Sequence, residues 1–542
     1  MKYKAIFDDT DELDDESKEL KPWQKNLIVF LIIAVVLNLL AVIYVSSCRN
    51  IYFWSSADYW NMARRIANGE LGTNLWSTVY HSIINDEFNY LPSLLPALFV
   101  KLFGESRMVF ILSLINCYLL PADIIIYLLA RRLGKAPLIT TLIVLFTMPI
   151  TVYLTFNGFT EMGGFTLSLL AFYLYFRKNN KPLSVGHYIA IGIILTVLMM
   201  WNNWFLFFSV SFITAMITDA ILFRKRPYMC LITLAVIIII MALGFDGFMF
   251  KRLVLAYSAG SFNFEFALNM KLITRYIGLI FIILMAVCSV NIIRKKDTRP
   301  VFAWIQIFVC YITFTATRTH GQGHLLMYVP AFIMLLILTI KHIHTEKLLI
   351  GIISLSIIHS VSVIIPRNQP NNINEIKYTA LAPSFSIKSS VRDSAYDILA
   401  LKSKLDNVIP HGQYLGVLAY SNIMNSEILK NAEPSLNIKQ YRSDYIANTI
   451  PYFDLPDTNL APLCNANYML VALPAQYVRD DQKVLLSAVN SFENWTDIAC
   501  AYKELYEYET VIDGVTIKLF ERTRDVTQQE LAQFTNKLRN MN

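Results

Sequence analysis

The stretch SSADYWNMARRIANGEL, from Ser55 to Leu71, sets a carboxylate at Asp58 beside Tyr59 and Trp60, with the paired guanidinium groups of Arg64 and Arg65 about two helical turns further on. A carboxylate held against a hydroxyl can take its proton, and arginine can grip a phosphate with two parallel hydrogen bonds. Asp58 is therefore the candidate general base, with Tyr59, Arg64 and Arg65 as candidate substrate and phosphate ligands. The structural alternative for Asp58 is an N-cap carboxylate on the helix that DYWNMARRIANG predicts, ending at Gly69.

Further acids and bases lie in comparable places. Asp86 and Glu87, in INDEFNYLPSLLPAL, could meet Asp58 as an acidic pair or stand as solvated loop acids; Tyr90 comes next as a substrate ligand. Glu161, in FNGFTEMGGF, falls at the mouth of an apolar run, either as a third catalytic acid or as a water-facing rim residue. TRTHGQGH packs Arg318, His320, Gln322 and His324 into one short loop, and Lys251 and Arg252 sit in DGFMFKRLVLAY; all are candidates for holding phosphate. Two histidines without a third defined ligand are a weak metal signal. Asp123, in LLPADIII, is the acid placed deepest in an apolar run, where a hydrogen bond between helices is its expected role.

These residues must be positioned by a membrane scaffold. Of 542 residues, 55% are hydrophobic and only 16% charged, and the mean hydropathy is +0.45, a profile outside that of ordinary soluble domains. The net charge of +7 is modest and clusters at the ends of apolar runs rather than along a stripe, which excludes nucleic acid as a partner. Residues 1–25 read as a polar, acidic cytoplasmic tail with no cleavable signal peptide.

Runs long enough for about 30 Å of hydrocarbon begin at Asn26–Val45 and recur near Met108–Leu129, Pro137–Tyr153, Glu161–Phe176, His187–Trp201 and Trp204–Phe223. Five more lie near Met229–Phe245, Leu272–Ile293, Val301–Ala316, Leu325–Ile340 and Leu348–Ile365. Basic clusters fall on every second loop: Arg131, Arg132 and Lys135; Arg177, Lys178 and Lys181; Arg224 to Arg226; Arg294 to Arg299; Lys341 and Lys347. With these loops cytoplasmic, about eleven transmembrane helices start from a cytoplasmic N-terminus and leave the C-terminal part outside. The expected architecture is a polytopic α-helical membrane domain over 26–365, with a long first outer loop at 46–107, and an extracytoplasmic α/β domain over 366–542.

In that last region YLGVLAY and YMLVALP read as buried strands, each succeeded by a helical stretch, and YETVIDGVTIKLFE reads as a hairpin turning at Asp513 and Gly514. Seven cysteines include no CxxC pair, and Cys464 and Cys500 could pair if their domain is extracytoplasmic.

A first span, an outer loop with an early aspartate, a YLPSLLPAL string and an LFG turn before the second span make a familiar combination. It resembles the GT-C superfamily of polyprenyl-phosphate-sugar glycosyltransferases, the type of the dolichyl-phosphate-mannose protein mannosyltransferases and the lipid A aminoarabinose transferases. Asp58 and Tyr59, the helix to Gly69, Tyr90 to Leu94, and Leu102 to Gly104 carry the likeness; the string departs from the family's YPPL-like form by one proline. The resemblance implies an inverting transfer with Asp58 as base, moving a sugar from a polyprenyl-phosphate donor to a hydroxyl of a glycan, lipid or protein at the outer face of the membrane. It also implies outer-loop basic residues on the lipid phosphate, with Arg318 and His324 the nearest fit by position. No cofactor is demanded, and a divalent metal ion beside the phosphate stays open. A polysaccharide or lipid flippase is the alternative from another class. The expected address is a bacterial plasma membrane.

Overall fold

The structure is a computed structural model that describes residues 22–52, 54–86, 88–176, 183–223, 227–245, 266–317, 321, 323–343, 346–364, 366–368, 389–391, 394–436, 438, 442–446, 460–477 and 482–540. Its contacts divide the chain into two units, one built around Tyr59–Arg367 and one around Ser390–Asn542.

The first unit is helical. Asn26–Ser47, Arg107–Leu133 and Phe205–Leu222 are long and apolar enough to cross a membrane, and Pro137–Thr147 with Ile150–Phe156, bent by 64°, supplies a fourth if the pair is one span. Six shorter apolar helices are Leu91–Phe103, Val185–Trp201, Cys230–Gly244, Leu279–Arg294, Arg299–Thr315 and Val329–His342. Among the described residues, helix length and composition alone therefore mark three or four spans, with the shorter apolar helices covering several of the other expected runs. Two of those runs are interrupted for local reasons. Pro149, which lacks an N–H, stands at the bend after Thr147, and Gly278, at φ +93°, splits the expected Leu272–Ile293 run into Phe266–Ile277 and Leu279–Arg294.

Lys135, Asp297, Arg299 and Lys341 are electrostatic neighbours, so three of the five basic clusters gather at one end of this unit. The Arg177–Lys181 and Arg224–Arg226 clusters lie outside the described residues. Aromatic rings fill the middle, with Tyr175 stacked on Phe302 at 4.9 Å and Phe172 edge-on to Phe212 at 5.2 Å. The Tyr175 hydroxyl donates to the buried Asp219 carboxylate at 2.7 Å, which satisfies an acid that would be costly alone.

The second unit is a layered α/β domain. Pro366–Asn368 (β1) and Ser389–Val391 (β2), which do not belong wholly to this unit, pair in a separate two-stranded sheet. The main sheet contains Leu415–Leu418 (β3), Tyr468–Leu473 (β4), Tyr502–Glu504 (β5), Thr510–Ile512 (β6) and Val515–Arg522 (β7). Its order is β3-β4-β7-β5, with β6 also paired to β7; β3 and β4 are parallel and the other pairs antiparallel. Strand alternation splits the core. Leu415, Val417, Leu470, Ala472, Ile517 and Leu519 pack on one face. Met469, Val471 and Phe520 pack on the other, against Leu485, Val489 and Phe534. Asp513 at φ +50° and Gly514 at φ +78° make the two-residue turn between β6 and β7 that the sequence predicts. Cys464 and Cys500 are both free thiols.

One boundary differs from expectation. Ser46–Asp58, the start of the first outer loop, groups with the C-terminal unit. The reason is burial: Ile51 is 0% exposed within that unit's core, beside Ala395, Ile428 and Tyr445.

Candidate functional site

The helix carrying Asp58 runs from Trp54 to Ala67. Asp58 is thus in its second turn, half-buried, and not at its N-cap. It ends the segment that groups with the C-terminal unit, while the rest of the helix, from Tyr59 onward, groups with the helical unit.

Within the helical unit, Tyr59 is buried and held from three sides. Ser93 Oγ donates to its carbonyl at 2.9 Å, Asn202 Nδ2 donates to its hydroxyl at 3.1 Å, and Phe88 meets its ring edge-on at 5.7 Å. The proline string is fixed just as closely. Tyr118 Oη donates to the Pro92 carbonyl at 2.8 Å, and Asn89 Nδ2 donates to the carbonyls of Met200 and Trp201 at 2.9 and 3.3 Å. Tyr118 belongs to a π-helical segment, Ile115–Leu119, inside the second long span, the kind of bulge that redirects one side chain out of helical register.

Glu161 opens the helix Glu161–Tyr175 and is 2% exposed, so the water-facing rim alternative does not hold. The two glycines after Met162 explain its setting. A Cβ on Gly163 would come within 2.1 Å of the Trp201 ring, and one on Gly164 within 2.3 Å of the Phe205 ring. Only residues without a side chain let this helix lie so close to the turn between Val185–Trp201 and Phe205–Phe223. Trp201 Nε1 then donates to the Thr160 carbonyl at 3.0 Å. Gly323 closes another side, its Cβ position 3.7 Å from Glu161 Oε1. His324 lies edge-on to Trp204 at 4.5 Å and beside Phe314 at 4.9 Å, and its Nδ1 accepts from the Gly321 amide at 2.8 Å. That bond leaves Nδ1 unprotonated and sets the neutral ring as the Nε2–H tautomer.

Five buried polar atoms collect along these elements without a hydrogen-bond partner among the described residues: Thr160 Oγ1, Glu161 Oε2, Asn202 Oδ1, Asn203 Oδ1 and Trp204 Nε1. Buried polar atoms are ordinarily paired because leaving one unpaired costs about 1–3 kcal/mol. Such a group of them marks a place where a ligand can complete the bonding.

The remaining candidates are less concentrated. Tyr90 is buried and accepts from Arg65 Nη1 at 2.6 Å; Arg65 also pairs with Glu70 at 3.3 Å, and Arg64 pairs with Glu105 at 3.0 Å and lies over the Trp60 ring. Both arginines thus have acidic partners with which a phosphate would compete. Asp86 is exposed just after the helix Leu75–Asn85. Glu87, Lys251, Arg252, Arg318, His320 and Gln322 lie outside the described residues. Among the described residues no group of three or more His, Cys, Asp or Glu is placed to hold a metal ion. Asp123 is fully buried, with neither oxygen hydrogen-bonded among the described residues, so the expected bond between helices is not made there. A surface cavity lined by Cys288, Asn291, Arg294, Lys295 and His342 has no carboxylate and belongs to the basic helix ends.

Sequence reasoning overlooked Thr160, Asn202, Asn203 and Trp204. The available signal was WNNW, two amides between tryptophans in a connection that carries no lysine or arginine.

No family model matches the sequence, and no curated protein matches it. Among solved structures, ArnT from Cupriavidus metallidurans in the apo state is similar at 11% identity and a TM-score of 0.50, over 92% of this chain and 98% of that one. The same protein bound to undecaprenyl phosphate gives a TM-score of 0.49 at 10% identity, over 91% of this chain and 98% of that one. The archaeal oligosaccharyltransferase AglB from Archaeoglobus fulgidus, in complex with an inhibitory peptide and a dolichol-phosphate, gives 0.40 at 11% identity, over 83% and 70%. The likeness to apo ArnT, over 92% of this chain, is one of fold.

Proposed function

We propose that the protein is a glycosyltransferase that moves a sugar from a polyprenyl-phosphate carrier to an acceptor hydroxyl at the outer face of a bacterial plasma membrane. The observation that carries this reading is the group of buried polar atoms at 160–161 and 202–204 that have no partner among the described residues, set on a fold shared with ArnT. Its chemistry is selective. Three acceptor oxygens, one indole N–H and one hydroxyl complement a surface of hydroxyl groups, and the Trp201 and Trp204 rings beside them suit the apolar face of a pyranose or furanose. A phosphate does not fit there, because the Glu161 carboxylate would oppose it. The cluster is accordingly the sugar subsite, and the phosphate falls to basic side chains elsewhere, with Lys251, Arg252, Arg318 and His320 as the candidates. The fold is shared with a protein that has been crystallised bound to undecaprenyl phosphate, which supports a lipid-phosphate donor.

In the reaction, Asp58 takes the proton of the acceptor hydroxyl as its oxygen attacks the anomeric carbon. The bond from that carbon to the phosphate oxygen breaks, the electron pair leaves with the polyprenyl phosphate, and the configuration inverts. A positioned base of this kind contributes about 10²- to 10⁴-fold, and cations stabilise the charge growing on the departing phosphate. The test is transfer of radiolabelled sugar from a panel of polyprenyl-phosphate pentoses and hexoses by the purified protein, with and without EDTA to read any need for a divalent cation. Transfer by the wild type and its loss in a folded Asp58→Asn variant are expected. Equal transfer by both would remove Asp58 from the mechanism, and transfer by neither would overturn the proposed activity.

A further inference from the structure

The segment that carries Asp58 packs on two helices of the C-terminal unit, chiefly Ser426–Ser435 and also Ala395–Val408. Ile51 packs with Ile428 and Leu429 in a common core, and the Tyr52 amide donates to Ser435 Oγ at 3.1 Å across 383 residues of sequence. Arg49 adds a third tie, its guanidinium 4.6 Å from the centre of the Tyr396 ring. The first of these helices is itself well anchored. Asn425 caps it by accepting from the Ile428 amide at 2.8 Å. Near its other end Glu433 pairs at 3.6 Å with the fully buried Lys402, whose ammonium also binds Asp406 at 2.6 Å. Between those anchors lies Lys430, half-buried, with two acids acting on its charge: Glu427 on its own helix and Asp58 on the held segment.

We infer that Lys430 is a positioning residue for Asp58, its ammonium orienting the carboxylate and favouring the ionised form on a segment that the C-terminal unit holds in place. The functional consequence rests on the proposed role of Asp58 as base; the electrostatic coupling does not. Burial pushes the Lys430 ammonium below its ordinary range, while Glu427 and Asp58 push it back up. A carboxylate coupled to a cation loses protons more readily, so removing Lys430 moves the Asp58 titration to higher pH.

The coupling is measurable without any transferase activity. In the full-length protein in nanodiscs, labelling of Asp58 by a water-soluble carbodiimide with glycine ethyl ester, read by mass spectrometry across pH, reports the midpoint at which its carboxyl protonates. In Lys430→Met the midpoint is expected to rise by about one pH unit, with Lys430→Arg restoring it, whereas a merely structural lysine would leave it unmoved. The same midpoint in wild type, Lys430→Met and Lys430→Arg would overturn the inference. If Lys430→Met does not fold, Lys430→Gln carries the same two outcomes. Transfer assays then separate the two ideas: a labelling midpoint that moves while the acid limb of the transfer rate stays fixed upholds the Lys430–Asp58 pair and removes Asp58 as the base.

Discussion

Asp219 and Glu161 are both carboxylates buried among the helices, at 4% and 2% exposure, yet they differ in how their oxygens are satisfied. Asp219 receives the Tyr175 hydroxyl at 2.7 Å inside an aromatic core. Among the described residues Glu161 Oε2 has no partner, and neither has one atom each of Thr160, Asn202, Asn203 and Trp204. A carboxylate whose bonds are closed by the protein supports the fold; one left open beside other open groups has bonds to offer a ligand. The difference between an anchor and a site is thus one of satisfaction, not of burial.

Substitutions at these two carboxylates and around them should have sharply different effects. Asp58→Asn is predicted to lower the transfer rate by about 10³-fold, the scale of a lost general base, measured on folded protein with radiolabelled donor. Glu161→Gln keeps the volume but changes what the site can accept. A loss of about 10²-fold in kcat/KM is expected, equivalent to about 2.7 kcal/mol, with no change in thermal midpoint. Asp219→Ala should do the reverse. It strands the buried Tyr175 hydroxyl and destabilises by about 1–3 kcal/mol, seen in detergent melts, while the protein that remains folded keeps its specific activity. Gly163→Ala tests the packing between these regions. Its methyl group would overlap the Trp201 ring, and forced overpacking costs about 1–3 kcal/mol, with partial loss of activity as the Trp201–Thr160 bond is displaced.

The smallest effect lies far from both carboxylates. The Arg524 guanidinium hydrogen-bonds Glu530, and the Thr527 amide adds a second donor, so that the Glu530 carboxyl is lowered to about 2. A depressed folded-state value stabilises above the unfolded value near 4.5 and is lost as pH falls through about 2. Hydrogen exchange in Gln528–Asn540 should therefore quicken between those limits before the sheet opens, and Glu530→Gln should remove that pH dependence.

Much of the fold was legible because local patterns decide it. The unbroken apolar run at Tyr468–Leu473 marked a strand covered on both faces, Asp513–Gly514 marked a hairpin, and Gly69 marked the end of the Asp58 helix. Asp58 and Tyr59 were legible as an acid and a phenol beside paired arginines in an outer loop, and Glu161 as an acid at the mouth of an apolar run. What stayed hidden depends on distance along the chain. Nothing near Ile51 announces that it fills a core built from Ala395 to Leu519, and nothing near Arg64 announces Glu105 as its partner. The asparagines of WNNW were hidden for another reason: hydropathy read their tryptophans as span ends, whereas the glycine pair at Gly163 and Gly164 is what lets Trp201 and Phe205 lie against the helix that Glu161 opens.

The most direct measurement compares binding of undecaprenyl phosphate with and without an attached sugar, by native mass spectrometry, to wild type and to Glu161→Gln. Wild type is expected to prefer the sugar-bearing lipid for at least one sugar of the panel, and Glu161→Gln to bind both forms alike at the affinity of the bare lipid. Equal affinity for both forms in wild type across the panel, or a preference that survives in Glu161→Gln, would contradict the assignment of this cluster as the sugar subsite.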